Sequence, residues 1–208
     1  MHVPDGILPG GVCTAGYLGT ALLSGLSVRT IRRAGNTSKR LPNAVALTAV
    51  FIVATWIRHP MPPGSIHFVL GGFMGVLLGW LAFPSILAGL LVQAAAAGHG
   101  GLAALGVNAV ITGLPAMLAA WLFSTSRDMD STSTGVLAFV AGSGSVLLST
   151  LMMYLVLSSA AVTLPAQTEY QGLRTLALAY IPIALFEGVL TAVTVTLMRK
   201  NGRDKPGI

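Results

Sequence analysis

The sequence predicts an all-α fold, a polytopic integral membrane helical bundle of about seven transmembrane helices, with the N-terminus outside and the C-terminus cytoplasmic. Three observations carry that reading. Hydrophobic residues make up 54% of the chain and charged residues only 9%, with a mean hydropathy of +0.79; a soluble domain carries about 25% charged residues. Apolar stretches recur that are long enough to cross a bilayer. Basic residues gather at the ends of those stretches, in Arg29, Arg32, Arg33, Lys39 and Arg40 and again in Arg199, Lys200, Arg203 and Lys205. Without interleaved aromatics, these clusters read as cytoplasmic helix ends, so the net charge of +6 does not point to nucleic acid. The single cysteine, Cys13, excludes an intrachain disulfide and any multi-cysteine metal site.

The elements follow in order. Segment 1 runs from Val12 to Ile31, with Gly11, Ala15 and Gly19 forming a stripe of small residues suited to close helix contact. Segment 2 runs from Leu41 to Ile57, and segment 3 from Ile66 to Phe83, where Pro84 breaks the pattern. Segment 4, Ser85 to Ala97, is short enough to lie obliquely or partly re-entrant. The Gly-rich turn Gly98-His99-Gly100-Gly101 leads into segment 5, Ala103 to Phe123. A polar stretch, Ser124 to Thr134, precedes segment 6, Gly135 to Ser158; a longer polar loop, Ala161 to Gln171, precedes segment 7, Leu173 to Met198. Residues 1–208 read as a single transmembrane domain, with 1–10 as an N-terminal segment and 199–208 as a basic cytoplasmic tail.

With seven spans and the 29–40 loop inside, the inner loops hold ten of the twelve basic residues, leaving Arg58 and Arg174 outside. That distribution satisfies the positive-inside rule. No basic region precedes the first apolar run, and Pro4-Asp5-Gly6 reads as a turn, so no cleavable signal peptide is expected. Histidine is too bulky for the preceding initiator methionine to be removed, so Met1 is expected to stay.

The opening dipeptide Met1-His2 carries the most specific chemistry. An α-amino group, the next amide nitrogen and the His2 imidazole lie within chelating reach of one another and present three nitrogens to one ion through small fused rings. Such donors suit nickel, copper and cobalt far better than calcium or magnesium. His59, His67 and His99 all fall at or near the same outer face. His67, among Ile66, Phe68, Val69 and Leu70, is the best fourth nitrogen, because a histidine in an apolar helix end needs a partner. His59, beside Pro60, reads as a loop residue, and His99 as a donor to carbonyls of the irregular turn. Four nitrogens favour a square-planar or tetragonal site.

The opening Met1-His2-Val3-Pro4-Asp5-Gly6-Ile7-Leu8 resembles the N-terminal signature of the CbiM/NikM family, the substrate-binding components of energy-coupling factor (ECF) transporters for cobalt or nickel. The resemblance continues through Ser65–Leu70, Gly71-Gly72-Phe73-Met74-Gly75, Gln93, His99–Leu102 and Leu105-Gly106-Val107-Asn108; beyond residue 124 it rests on hydropathy and Glu187-Gly188. It implies a metal site built from the Met1 amine, the His2 amide and ring, and the His67 ring, with Asp5, Asn108 and His99 supporting that site without binding the ion. It also implies a protein that is not an enzyme and holds no resident cofactor, with Co²⁺ or Ni²⁺ as its transported ligand. The implied partners, besides the lipid bilayer, are a transmembrane coupling subunit, two cytoplasmic ATPase subunits and a small accessory membrane subunit. The location implied is the inner (plasma) membrane of a prokaryote. In agreement, the chain has no Gly-x-x-x-x-Gly-Lys-Ser/Thr sequence with which to cradle ATP.

Two other readings stay open at this stage. Glu187 lies mid-segment, where a charge costs about 2.5–3.5 kcal/mol; it is either a residue of a transport pathway or a hydrogen-bonded structural carboxylate. An ion-coupled metal carrier acting without ATPase partners would use it in the first way. A membrane-embedded serine hydrolase would draw on Ser143, Ser145 or Ser149 and His99, but no Gly-x-Ser-x-Gly elbow is present. The Met152-Met153 pair reads as packing.

Overall fold

A computed structural model gives the architecture and describes residues 2–35, 37–61, 64–98, 100–159 and 166–201. The chain runs α1 (Gly10–Ala34), α2 (Thr37–Trp56), β1 (Arg58–Met61), β2 (Gly64–His67), α3 (Gly71–Leu78), a 3-10 turn (Gly79–Leu81), α4 (Ala82–Ala97), α5 (Leu105–Phe123), a second 3-10 turn (Ser124–Asp128), α6 (Ser131–Ser159) and α7 (Ala166–Lys200). Among the described residues, five stretches are long and apolar enough to cross a membrane: Gly10–Ala34, Gly71–Ala96, Leu105–Ser126, Ser131–Ser158 and Arg174–Lys200. The helical membrane bundle expected from composition is therefore present.

Close backbone contact at small residues holds the bundle together. Helices α1 and α5 run side by side in one direction, Gly16 against Val107 and Gly19 beside Val110, with Thr20 donating to the Gly106 carbonyl at 2.8 Å. A Cβ at Gly16 would lie 2.4 Å from Val107, which is why that position carries none. The buried face of α1 is Gly16, Thr20, Leu23 and Ser27; of the stripe picked out in sequence, only the half-buried Gly19 meets α5, while Gly11 and Ala15 are exposed. On the other side α6 and α7 pack through Gly142 against Thr191 and Gly188 against Phe139.

The region between residues 58 and 97 departs from expectation. Arg58 pairs with His67 and Met61 with Gly64 in an antiparallel hairpin, so Ile66 and His67 end a strand and do not begin a helix. Pro60 removes a main-chain donor, and the β-branched Ile66 suits a strand. The break in the apolar run falls at Gly79, whose φ is +60°; Pro84 sits in the first turn of α4, where the missing N–H has no helical partner to lose. Gly75 touches Ala116 while Phe83 packs on Gly113, one turn back along α5. The chain therefore folds back at Gly79–Leu81. Helix α3, at eight residues, rises only about 12 Å, and an extended segment delivers the chain to its start. Helix α7 begins at Ala166, inside the stretch expected to be a polar loop, of which residues 161–165 lie outside the described residues.

Candidate metal centre

Three elements converge on one spot: the N-terminal segment, the end of β2 and the start of α5. The N-terminal segment is fastened at two points. Asn108, in the first turn of α5, grips Val3 on both sides: its Oδ1 accepts from the Val3 N–H at 2.8 Å and its Nδ2 donates to the Val3 carbonyl at 3.0 Å. Nδ2 also reaches the Gly100 carbonyl at 3.2 Å. Asp5 accepts from the Ala104 N–H at 2.9 Å, just ahead of α5. Both grips depend on glycine, since Gly100 and Gly101 have φ of +77° and +64°. A Cβ at Gly101 would stand 2.0 Å from the Asp5 carboxyl carbon.

His67 is 4% exposed. Its Nδ1 lies 2.7 Å from the Phe68 carbonyl; a proton on Nδ1 satisfies that carbonyl and makes Nε2 the lone-pair nitrogen. Hydrogen bonding of one ring nitrogen commonly fixes the tautomer that ligates through the other. The His2 and His67 rings stack with centroids 4.9 Å apart and planes 17° apart, bringing His2 Nδ1 to 3.2 Å from His67 Nε2. Two nitrogens each about 2.0 Å from one ion at right angles stand about 2.8 Å apart, so the observed pair is within a few tenths of an ångström of adjacent ligation. His2 Nδ1 is also the ring nitrogen able to close a six-membered chelate with the His2 amide nitrogen.

Behind His67, helix α7 holds the strand end. Tyr180 bonds to the His67 backbone. Two turns further on, the Glu187 carboxylate accepts from the Val69 N–H at 2.5 Å and the Leu70 N–H at 2.9 Å. Glu187 thus caps the N-terminus of the short helix α3, where main-chain donors and the helix dipole favour an anion. Leu70 takes the left-handed conformation, φ +51°, which that grip maintains. Reading single residues missed Tyr180, although a hydroxyl seven positions from Glu187 on one helix face was the available signal.

The structure brings His2, His67, Asp5 and Asn108 together, and Glu187 holds the Val69 and Leu70 N–H groups just beyond His67. Met1 and His99 lie outside the described residues. Among the described residues no group of three or more His, Cys, Asp or Glu side chains could hold a metal; a site here needs main-chain nitrogen as well. Cys13 lies away from the His pair, its Sγ 3.9 Å from the Leu8 carbonyl. Met153 is packed in the core beside Tyr180, and Ser143 donates to Phe139 within its own helix. Gln93, 1% exposed, donates to Thr55 at 2.6 Å and ties α4 to α2.

Comparisons with known proteins point one way. Residues 2–204 match the family model described as CbiM, cobalt uptake substrate-specific transmembrane region. A relative from Haemophilus influenzae, described as a metal transport protein, is 32% identical over 206 residues, covering 96% of this chain and 94% of its own. The cobalt transport protein CbiM of Nostoc sp. is 30% identical, covering 93% of this chain and 76% of its own. The fused nickel transport protein NikMN of Rhodobacter capsulatus is 36% identical over 110 residues, 52% of this chain and 31% of that protein. A crystal structure described as a transition metal transporter matches with a TM-score of 0.75 at 18% identity, covering 98% of this chain and 95% of that one. At that identity the structural likeness establishes the fold alone.

Proposed function

The chain belongs to the CbiM family of cobalt-uptake transmembrane proteins, a family of transporters rather than enzymes, and on that premise we propose that it captures Co²⁺ or Ni²⁺ through the Met1 amine, the His2 amide and ring, and the His67 ring. The observation that carries the reading is the 3.2 Å approach of His2 Nδ1 to His67 Nε2. With Nδ1 of His67 protonated, the hydrogen in that contact sits on His2. An incoming ion displaces it, together with the amine and amide protons, so affinity falls as pH drops. All-nitrogen ligation rejects Mg²⁺ and Ca²⁺, which demand oxygen. Asn108 and Asp5 hold the chelating segment in register over His67, and His99 is assigned a supporting role.

The further organisation belongs to the same proposal. The chain is one domain of seven spans, its residues 1–10 the chelating segment outside and 199–208 a basic tail in the cytoplasm. It acts as the substrate-capture component of an ECF-type ABC importer in the inner membrane of a prokaryote, with a transmembrane coupling subunit, two ATPase subunits and a small accessory membrane subunit. Glu187, the buried acid on which an ion-coupled carrier would rest, already accepts two main-chain hydrogens.

The test is metal content. Purified chain with an unblocked N-terminus is loaded with equimolar Co²⁺, Ni²⁺, Cu²⁺ and Zn²⁺ beside His67→Ala and a variant with Gly-Ser placed before Met1. One ion per chain, lost in both variants, is expected. Binding that survives the extension overturns the chelate.

A further inference from the structure

We propose that the lateral face between α2 and α4 binds one anionic phospholipid, its acyl chain in the groove between the helices and its phosphate on Arg40. The groove has a volume of about 410 Å³ and is lined by apolar side chains, among them Leu41, Val45 and Ile52 of α2 and Leu81, Pro84 and Ala88 of α4 or its approach. With α2 taken as one of the seven spans proposed above, the helix rises about 16 Å from Leu41 to Ile52, the hydrocarbon depth of one leaflet in a core about 30 Å thick. That length suits one acyl chain lying along the helix pair.

The charge at its end selects the headgroup. Leu81 also borders a smaller cleft formed by Thr30, Ile31, Ala34, Trp80 and Arg40. Arg40 is half-buried there, Nη2 donating to the Leu78 carbonyl at 3.2 Å, and burial holds its pKa below the ordinary value. A cation short of water gains most from an anion within reach. Arg29, Arg32, Arg33 and Lys39 surround it in sequence, and no Asp or Glu occurs between Asp5 and Asp128. Among the described residues no carboxylate acts on Arg40. A phosphate supplies that missing charge, and basic clefts between membrane helices are sites for acidic headgroups.

The test uses the full chain, delipidated and titrated with phosphatidylglycerol or phosphatidylethanolamine under native mass spectrometry. Wild type is expected to retain one phosphatidylglycerol and several-fold less phosphatidylethanolamine. Arg40→Gln removes the preference while apolar retention stays; Ala88→Trp, filling the groove, removes both. A photo-crosslinker at Val45, which is 64% exposed, supplies a reading in otherwise unaltered protein and should capture lipid in native membranes. Equal retention of the two lipids by wild type, or phosphatidylglycerol retention unchanged in both variants, overturns the proposal. So does a Val45 crosslink to protein in place of lipid.

Discussion

Asn108 treats Val3 as a neighbouring strand would, accepting its N–H at 2.8 Å and donating to its carbonyl at 3.0 Å. One side chain thereby fixes the residue that follows His2. Asn108→Asp keeps the acceptor but turns the donor into a second oxygen facing the Val3 and Gly100 carbonyls. We expect metal affinity to fall tenfold or more, as for other groups that orient ligands. Isothermal titration checks it; unchanged affinity would mean that the clasp does not set the position of His2.

Gly101 and Gly98 separate two costs. Both are left-handed, with φ of +64° and +61°, but a Cβ meets Asp5 at Gly101 and nothing within 4 Å at Gly98. An alanine at Gly98 therefore costs only the backbone conformation, about 1–2 kcal/mol. Gly101→Ala must also push the Asp5 carboxylate off the Ala104 N–H. The expected outcome is a weakened metal site in Gly101→Ala and a near-normal one in Gly98→Ala. In a double-mutant cycle, Asp5→Ala should then add little to Gly101→Ala.

Much of this architecture was legible because burying polarity in an apolar chain leaves a visible mark. His67 and Glu187 stood out against their surroundings, and hydropathy located the long helices. The hairpin at Arg58–His67 did not stand out, since a short apolar strand and a buried helix start look alike without a longer period to separate them. Nor could Glu187 be matched to its partners: the Val69 and Leu70 N–H groups are main chain, which every residue possesses. The reversal at Gly79 was attributed to Pro84 because proline is the stronger helix breaker, yet proline costs little in a first turn.

Asp130 offers a pH test away from the site. It precedes α6 and accepts from the Thr132 and Ser133 N–H groups at 2.9 and 3.2 Å. The side-chain hydrogen bond with Ser133, then that residue's N–H, holds its pKa below the ordinary 3.8. A carboxylate with a lowered folded-state pKa stabilises above its unfolded pKa and loses that contribution as pH falls through the folded value. Asp130→Ala should lower Tm at neutral pH, with the gap to wild type closing only below 3.8. Asp130→Asn, which still caps, should lose less. A gap constant with pH would refute the charged cap.

Glu187 decides between a cap and a conduit. Val69 and Leu70 are 2% and 5% exposed, so Glu187→Ala leaves two buried N–H groups without their acceptor, at about 1–3 kcal/mol each. It also releases the left-handed turn at Leu70, a conformation costing a side-chain-bearing residue about 1–2 kcal/mol. Glu187→Gln keeps one acceptor oxygen and presents an amide hydrogen to the other donor, so its loss should be intermediate. Because the grip lies two residues beyond His67, both variants should lose thermal stability and metal affinity together, alanine more than glutamine. A pathway acid behaves otherwise: Glu187→Gln would bind metal and melt like wild type while uptake disappeared. Melting curves and metal titrations on the two variants therefore separate the roles, and normal values for both in Glu187→Ala would sink the cap.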